Sequence, residues 1–375
     1  MKHNSHLILL CLLIISLSPF TAFRGQNSDR ELVLSKIGEL PTGGDAYDVW
    51  IDEDRELAVL TCGYYGVRIV NVSDPSNPIE LSHIPEPPAV IETGHTTGYA
   101  HQFYLDQKMA YVGDGAAGLT VIDTTDPRNP SIISHYSGGY AWDIEVQQAV
   151  AFVSSGFLGN GAGLLILDFS NPTSPILMAN YSTEGDITSV EVKGDLAFLA
   201  DYDKGLVVLD VSNASNPVLK EEFPGPQNSG VSYVEVADNL LYSTSWTSGL
   251  RIWNITVPSE ISIVADYSKF ESYFSVRVFD DYAFLGGMND GLIVLNVSDP
   301  VNPVEIGRYS EGGRVNSAYA VNNLIYVADQ DSGLLILKIQ SSIDTTSAAQ
   351  TSFGSEIIVI GLFLFLGFKR KRKGQ

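Results

Sequence analysis

The sequence predicts an all-β protein, a seven-bladed β-propeller of four-stranded blades whose N-terminal strand closes the last blade. Three observations predict this fold. A six-residue unit recurs seven times, turns containing Pro follow most of these units, and an N-terminal segment resembles an outer strand of the repeat. The 34 Gly residues suit many short strands joined by tight turns.

Each six-residue unit begins with Gly, continues with mostly apolar residues and, in six of the seven copies, ends with Asp or Asn. Successive units start 52, 45, 42, 44, 42 and 42 residues apart, a spacing that suits one four-stranded blade. The units begin at Gly66, Gly118, Gly163, Gly205, Gly249, Gly291 and Gly333.

The third unit illustrates how the strands of a blade are placed. We expect the innermost strand A over Tyr140–Val146, strand B over Ala149–Ser154, strand C over Leu164–Asp168 and the outer strand D over Ile176–Tyr181. Pro residues separate strands C and D because Pro favours turns and cannot donate to a strand ladder. The C strands are apolar without alternation, so both of their faces should be buried between neighbouring blades.

The two ends of the repeat region predict how the ring closes. The seventh unit ends after its strand C and therefore lacks an outer strand. Ile37–Gly44 matches Ile306–Gly313, which contains an ordinary outer strand and its exit loop. We therefore expect residues 31–40 to form the outer strand of the seventh blade, which leaves no open edge between the first and last blades.

These units resemble the LVIVD repeat family, over about residues 31–339. The resemblance lies in the strand C motif, as in Leu206–Asp210, in the strand B motif, as in Ala110–Asp114, and in the Asp-Pro-x-Asn-Pro turns. Thr256–Pro258 departs from the usual turn. The resemblance implies a β-propeller on the cell surface, and it implies no established reaction and no catalytic residues.

Both ends of the chain carry apolar segments outside the predicted propeller of residues 27–340. Residues 1–26 resemble a secretory signal peptide, with a short transmembrane helix as the alternative. Residues 341–355 are rich in Ser and Thr and predict a linker. Residues 356–375 combine an apolar run with a basic tail, typical of a retained membrane anchor or of a sorting signal that is cleaved. We expect an extracellular, cell-surface protein held at the membrane by its C-terminus.

Composition excludes some classes of protein. The formal net charge is −22, although the C-terminal tail contributes five cations, so the protein should repel nucleic acid. Cys11 lies in the predicted leader, which leaves Cys62 as the one cysteine of the mature chain. We therefore expect neither an internal disulfide nor a cysteine metal cluster.

Strand order assigns each loop to a face of the propeller. The D-to-A and B-to-C loops share one face, here called the top, and the A-to-B and C-to-D turns share the bottom. The two longest loops, Pro85–Gly98 and Ser154–Ala162, are both on the top. Long loops on a rigid frame often bind ligands, and neutral variation of loop length is the alternative.

The first residues of the A strands line the top mouth of the predicted channel and differ from blade to blade. Because they depart from the repeat, we interpret some of them as a candidate ligand site, with simple channel lining as the alternative. The candidate ligand-binding residues are Asp48, His101, Gln102, Trp142, Asp143, Tyr233 and Phe274.

The sequence predicts no catalytic residue, no metal site and no cofactor, since no common catalytic or nucleotide-binding motif is present. His83 and His135 occupy an exposed repeat position, whereas His95 and His101 with Glu92 and Asp143 would form a chemically sensible metal site. Two carboxylate pairs could bind Ca²⁺ weakly, and capping of turn N–H groups is the alternative. These pairs are Asp201 with Asp203 and Asp329 with Asp331.

Asn-x-Ser/Thr sequons predict glycosylation, although repetition of the motif could also produce them by chance. Four of the five sites lie at or near C-to-D turns and would therefore decorate the bottom face. The sites are Asn71, Asn180, Asn213, Asn254 and Asn296.

The leading interpretation is a monomeric, non-enzymatic cell-surface module that binds a surface protein or a glycan through its top face. One alternative is a secreted hydrolase or lyase with its site at the channel mouth. Another is a structural component of the cell envelope.

Overall fold

The computed structural model describes residues 31–85, 103–106, 108–156, 163–183, 185–225, 230–268, 272–287 and 290–341. These residues form 28 strands, arranged as seven antiparallel sheets of four strands each. The predicted seven-bladed propeller is confirmed, including the strand order from A to D within each blade.

The first four blades follow the chain in order. Blade one contains β2 (Asp48–Asp52), β3 (Leu57–Thr61), β4 (Val67–Asn71) and β5 (Ile79–Ile84). Blade two contains β6 (Phe103–Asp106), β7 (Met109–Gly113), β8 (Leu119–Asp123) and β9 (Ser131–Tyr136). Blade three contains β10 (Ile144–Gln147), β11 (Val150–Ser155), β12 (Gly163–Asp168) and β13 (Ile176–Ser182). Blade four contains β14 (Ile187–Lys193), β15 (Leu196–Asp201), β16 (Gly205–Asp210) and β17 (Val218–Phe223).

The last three blades complete the ring. Blade five contains β18 (Tyr233–Ala237), β19 (Leu240–Ser245), β20 (Gly249–Asn254) and β21 (Ser262–Tyr267). Blade six contains β22 (Tyr273–Phe279), β23 (Tyr282–Gly287), β24 (Gly291–Asn296) and β25 (Val304–Tyr309). Blade seven contains β26 (Val315–Val321), β27 (Leu324–Asp329), β28 (Gly333–Ser341) and the N-terminal β1 (Leu32–Leu40).

The core lies between the blades and is built mainly from strands B and C. Leu206, Val207, Val208 and Leu209 of β16 are all fully buried, as expected for a strand with neighbouring blades on both faces. Gly205 opens this strand at φ +113, and a Cβ there would lie 2.3 Å from the backbone oxygen of Phe223. The Gly of the repeat is thus required by backbone conformation and by close packing of strand D.

The inner strand of blade three is shorter than the sequence predicts. β10 begins at Ile144, whereas we expected strand A from Tyr140. The reason is that Ala141 forms an isolated bridge with Gly115 of blade two, so this stretch pairs with the neighbouring blade. The next residues, Trp142 and Asp143, already make backbone hydrogen bonds to Ser154 of β11 in their own blade.

The ring closes as the sequence predicts. β1 pairs antiparallel with β28, from Leu32 opposite Ser341 to Leu40 opposite Leu334. The ammonium group of Lys36 lies 2.8 Å from carboxylate oxygens of both Glu39 and Glu311, which ties β1 to the loop after blade six. The N-terminal strand therefore occupies the outer position of the seventh blade.

Several sequence predictions fall on parts of the chain that the structure does not describe. The predicted signal peptide and anchor, the predicted linker except Ser341, and most of the two long top loops lie outside the described residues, and Ser341 belongs to β28. Within residues 31–341, where described, no helix is long and apolar enough to cross a membrane.

Cys62, on the first B-to-C loop, is a free thiol and is fully buried.

Candidate functional site

The structure places the five described site residues on or directly before the inner strands of four blades, with different degrees of burial. Asp48, Asp143 and Tyr233 are buried in the channel at 0%, 7% and 3% exposure. Trp142 and Phe274 are half-buried near the top mouth. His101 and Gln102 lie outside the described residues, as does His95.

Asp48 is held by hydrogen bonds within blade one and by a cation from another blade. Its Oδ1 accepts a hydrogen bond from the backbone N–H of Val49 at 2.9 Å. Its Oδ2 lies 3.2 Å from the guanidinium of Arg277 on blade six. Burial raises the pKa of Asp48, and the Arg277 charge opposes that rise.

Asp143 occupies the equivalent position in blade three and contacts blade four. Its Oδ1 accepts a hydrogen bond from the N–H of Ile144 at 2.8 Å. Its Oδ2 accepts from the Ser189 hydroxyl at 2.8 Å and from the Val190 N–H at 3.0 Å. Burial raises the pKa of Asp143 to about 6, and the hydrogen bond from Val190 and the charge of Arg277 oppose the rise.

Arg277 is the centre of a buried charge network that sequence reasoning missed. Its guanidinium lies 3.2 Å from a carboxylate oxygen of Glu235 on blade five, as it does from Asp48. Its Cζ also lies 5.4 Å from the centre of the Tyr233 ring, within cation–π range. One arginine thus holds together side chains of blades five, six and one.

Arg277 belongs to a ring of side chains, one from each blade, that lies two residues beyond the predicted mouth position. On one side of this channel ring, Trp50 contacts Tyr319 at a ring-centre distance of 5.2 Å and Tyr104 at 6.4 Å. The other side is acidic except for Arg277. The seven members are Trp50, Tyr104, Glu145, Glu191, Glu235, Arg277 and Tyr319. The sequence signal for this channel ring is a charged or aromatic residue in each A strand, among mostly apolar neighbours.

The polar residues at the start of strand A connect one blade to the next. The Thr188 hydroxyl donates to the backbone oxygen of Ser232 at 2.9 Å, and the Ser232 hydroxyl donates to that of Tyr273 at 3.1 Å. The Asn316 amide donates to the backbone oxygen of Ala46 at 2.7 Å. These residues differ from blade to blade but have the same structural role. Each donates a hydrogen bond to a backbone carbonyl of the following blade.

Trp142 is positioned at the mouth by contacts on two sides. Its indole N–H donates to the backbone oxygen of Gly156 at the end of strand B. Its ring centre lies 5.4 Å from that of Tyr140. Trp142 is therefore fixed in orientation and still half-exposed at the top face.

Three aromatic side chains cross the top face from blade four to blade six, and we call them the aromatic row. The ring centres of Tyr202 and Trp246 lie 5.1 Å apart, and those of Trp246 and Phe274 lie 5.8 Å apart. Tyr202 is 43% exposed and Trp246 is 38% exposed, although both side chains are large and apolar. Of the three, the sequence singled out only Phe274. The signal for the other two was an aromatic residue in the B-to-C turn.

The carboxylates at the ends of the B strands bind turn N–H groups. Oδ1 of Asp201 accepts from the N–H groups of Asp203 and Lys204 at 2.9 and 2.8 Å. Asp329 does the same with Asp331 and Ser332 at 3.0 and 2.7 Å. This is the capping arrangement weighed against a Ca²⁺ site. Across the described part of the chain, no group of three or more His, Cys, Asp or Glu has an arrangement suited to a metal ion.

Four of the five sequon asparagines shape the turn in which they lie. The side-chain oxygens of Asn71, Asn254 and Asn296 accept hydrogen bonds from the N–H two residues later, at 2.8 to 2.9 Å, and Asn213 does so at 3.2 Å. These four lie at or beside the C-to-D turns, and Asn180 lies exposed on β13. Glycosylation at any of them stays a prediction.

Comparisons with known proteins agree with the repeat and the fold. Among solved structures, the computationally designed Ika8 protein has a similar fold, with a TM-score of 0.56 and 10% identity over 78% of this chain and 83% of that one. No curated protein matches the chain. The LVIVD repeat model matches residues 97–137, 138–183, 184–224, 274–311 and 312–343, which together make up more than half of the sequence. The chain therefore belongs to the LVIVD repeat family.

Proposed function

We propose that the protein is a non-enzymatic, monomeric binding module of the cell surface, and that its top face holds a surface protein or a glycan. The aromatic row carries this proposal. Tyr202 and Trp246 expose large apolar surfaces on turns of a rigid frame, beside Phe274 at the channel mouth. Exposed Trp and Tyr side chains often dominate the binding energy of an interface.

The channel below the mouth supports the top face as the place of binding. Asp143 accepts hydrogen bonds from the adjacent blade four, Asp48 forms an ion pair with Arg277 of the non-adjacent blade six, and both carboxylates are buried. Their contacts hold the ring together. A macromolecular ligand can reach the mouth and its turns, where Trp142, Trp246 and Phe274 are accessible.

The alternative function is a hydrolase or lyase that works at the channel mouth. The described group best suited to proton transfer is Asp143, because burial raises its pKa to about 6. Both of its carboxylate oxygens accept hydrogen bonds from residues of strands or strand ends, at 2.8 to 3.0 Å. That arrangement favours a structural role for Asp143 over an acid–base role.

A binding screen of the full chain against surface glycans and surface proteins tests the proposed function. A ligand found in this way should bind more weakly when Trp142→Ala or Trp246→Ala removes an aromatic side chain from the top face, by about tenfold or more. His101→Ala extends the test to the predicted mouth residue that lies outside the described part of the chain.

Val301→Ala is the matched control, since Val301 is 59% exposed in the C-to-D turn of blade six, on the bottom face. Its affinity should stay within about twofold of the parent. A ligand whose binding is unchanged in all three top-face variants but weakened by Val301→Ala would place the site on the bottom and overturn the proposal.

A further inference from the structure

The electrostatic surroundings of the aromatic row are acidic at its blade-four end. Asp203 follows Tyr202 directly, and its Oδ2 accepts a hydrogen bond from the N–H of Asp186 at 3.2 Å. The backbone oxygen of Asp186 in turn accepts from the N–H of Tyr202 at 2.9 Å. Asp186 and Asp203 therefore lie on the two hydrogen-bonded backbone segments that hold Tyr202 in place.

The nearest basic residue along the chain does not neutralise these carboxylates. The ammonium of Lys204 lies 3.8 Å from Glu222, on the outer strand of the same blade. Among the described residues, neither Asp186 nor Asp203 has a Lys, Arg or His within ion-pair distance. The row thus combines exposed aromatic rings with two carboxylates that lack a positive partner in the described part of the chain.

The turns that carry the row are held firmly in place. Oδ1 of Asp201 accepts hydrogen bonds from the N–H groups of Asp203 and Lys204, the two residues after Tyr202, at 2.9 and 2.8 Å. A Cβ on Gly230 would lie 1.5 Å from the backbone oxygen of Tyr202, so the loop entering blade five packs directly against that turn. The Ser272 hydroxyl donates to the backbone oxygen of Trp246. A surface fixed in this way loses little conformational entropy on binding.

We infer that the aromatic row, together with Asp186 and Asp203, binds an exposed segment of a partner protein that carries Arg or Lys side chains. A guanidinium can stack on an aromatic face and donate hydrogen bonds to a carboxylate at the same time. The net charge of −22 also attracts a basic partner and speeds its encounter. This inference rests on the proposed function and names the chemical class of the partner.

The test measures binding of fluorescein-labelled octa-arginine to the full chain in mild detergent, by fluorescence anisotropy at about 150 mM salt. Trp246→Ala leaves the charge of the protein unchanged and should weaken binding about tenfold. The double variant Asp186→Asn with Asp203→Asn should also weaken binding, by about tenfold. Labelled octa-glutamate should bind neither the parent protein nor these variants.

Two matched variants separate a specific site from general attraction to an acidic protein. Tyr64→Ala removes a 54% exposed aromatic side chain from the equivalent turn of blade one. Asp74→Asn with Asp126→Asn removes two exposed carboxylates from C-to-D turns on the bottom face. Each of these variants should keep the affinity within about twofold of the parent.

Equal losses in the row variants and in their controls would overturn the inference, because non-specific attraction would then explain the binding. If octa-arginine binding does not depend on Trp246 while a glycan from the surface screen does, the partner class is wrong and the proposed function stands. If no ligand depends on any top-face aromatic residue, both fail.

Discussion

Arg277 on blade six and Asp48 on blade one form an ion pair at 3.2 Å, with the whole of blade seven between their strands. Both side chains are buried, and Glu235 of blade five completes the network. Removal of one member of a buried ion pair leaves the others desolvated and without a partner. The pair is therefore a sensitive point in the stability of the ring.

Arg277→Met should lower the free energy of unfolding by about 3–5 kcal/mol at neutral pH, because Asp48 and Glu235 would stay buried without their cation. Urea denaturation measures the change. The loss should shrink at acidic pH, because burial raises the pKa of Asp48 and its carboxyl group needs no cation once it is protonated.

Arg308→Met is the control for this prediction, since Arg308 is 35% exposed and pairs with Glu305 and Asp290 on the surface. Arg308→Met should lower the free energy of unfolding by no more than about 1 kcal/mol. Similar losses in the two variants would show that the buried network contributes no more than a surface pair.

The pKa of Asp143 predicts how stability depends on pH. Its folded-state pKa of about 6 lies above the ordinary value of 3.8, so the folded protein binds this proton more tightly than the unfolded chain. The contribution of Asp143 to the free energy of unfolding should therefore fall by about 3 kcal/mol as the pH rises from about 4 to about 6. Asp143→Asn should remove this fall, as measured by thermal or urea unfolding across that range.

Asp126→Asn is the control, because the contribution of Asp126 to stability should depend on pH in the opposite direction. The pKa of Asp126 is lowered by hydrogen bonds from the Asn129 side chain and the Arg128 N–H. Its contribution is complete above the ordinary pKa of Asp and is lost as the pH falls further. A parent and an Asp143→Asn protein with parallel pH profiles between pH 4 and 6 would contradict the prediction for Asp143.

Deletion of residues 27–40 should open the edge of β28 and cause aggregation, because the buried apolar C strand would lose its outer partner. Light scattering and size-exclusion chromatography measure the result. A deletion variant that stays monomeric with an unchanged Tm would disprove the role of β1.

A point substitution tests the same closure without deletion. A Cβ on Gly38 would lie 2.0 Å from the backbone oxygen of Pro75, so Gly38→Ala should shift β1 and lower Tm. Gly43→Ala meets no atom within 4 Å, and its cost of about 1 kcal/mol comes only from φ +72. Gly38→Ala should be the more damaging of the two.

The exit of the chain predicts the orientation of the molecule on the cell. β28 is a C strand and runs from top to bottom, so the chain leaves the propeller on the bottom face. The predicted linker of residues 341–355 would span roughly 20 Å as a coil or roughly 50 Å when extended. If the C-terminus is an anchor, the top face points away from the membrane.

Labelling of whole cells with an impermeant thiol reagent checks this orientation, with Cys62 replaced. Thr247→Cys, exposed in a top turn, should react faster than Ser76→Cys, exposed in a bottom turn. Gly159→Cys, in the long top loop outside the described residues, should behave like Thr247→Cys. The reverse order, without glycans present, would mean that the molecule lies on its side or is inverted.

The repeat predicted the fold well because each structural requirement recurs in the sequence. The Gly before each C strand and the Pro turns after it mark the blade boundaries, and the match of Ile37–Gly44 to Ile306–Gly313 predicted the closure. The start of β10 was not predicted, because Ala141 pairs with a residue of another blade.

The channel network could not be predicted in the same way. Asp48 was singled out by position, but its partner Arg277 lies 229 residues away and on a non-adjacent blade. That contact depends on the diameter of the closed ring, which no local pattern encodes. Tyr202 and Trp246 share a turn position but belong to different blades, so their contact also depends on how adjacent blades pack.

The pairing of β1 with β28 also dictates an order of events during biosynthesis. β1 is the first propeller strand to leave the ribosome, yet its partner is the last, so it must wait unpaired until about 300 further residues have been made. The Lys36–Glu311 contact spans 275 residues, and such non-local contacts slow folding. Until translation is nearly complete, the nascent chain presents an unpaired strand at its beginning, so chaperone protection of that segment should matter most before residue 341 appears.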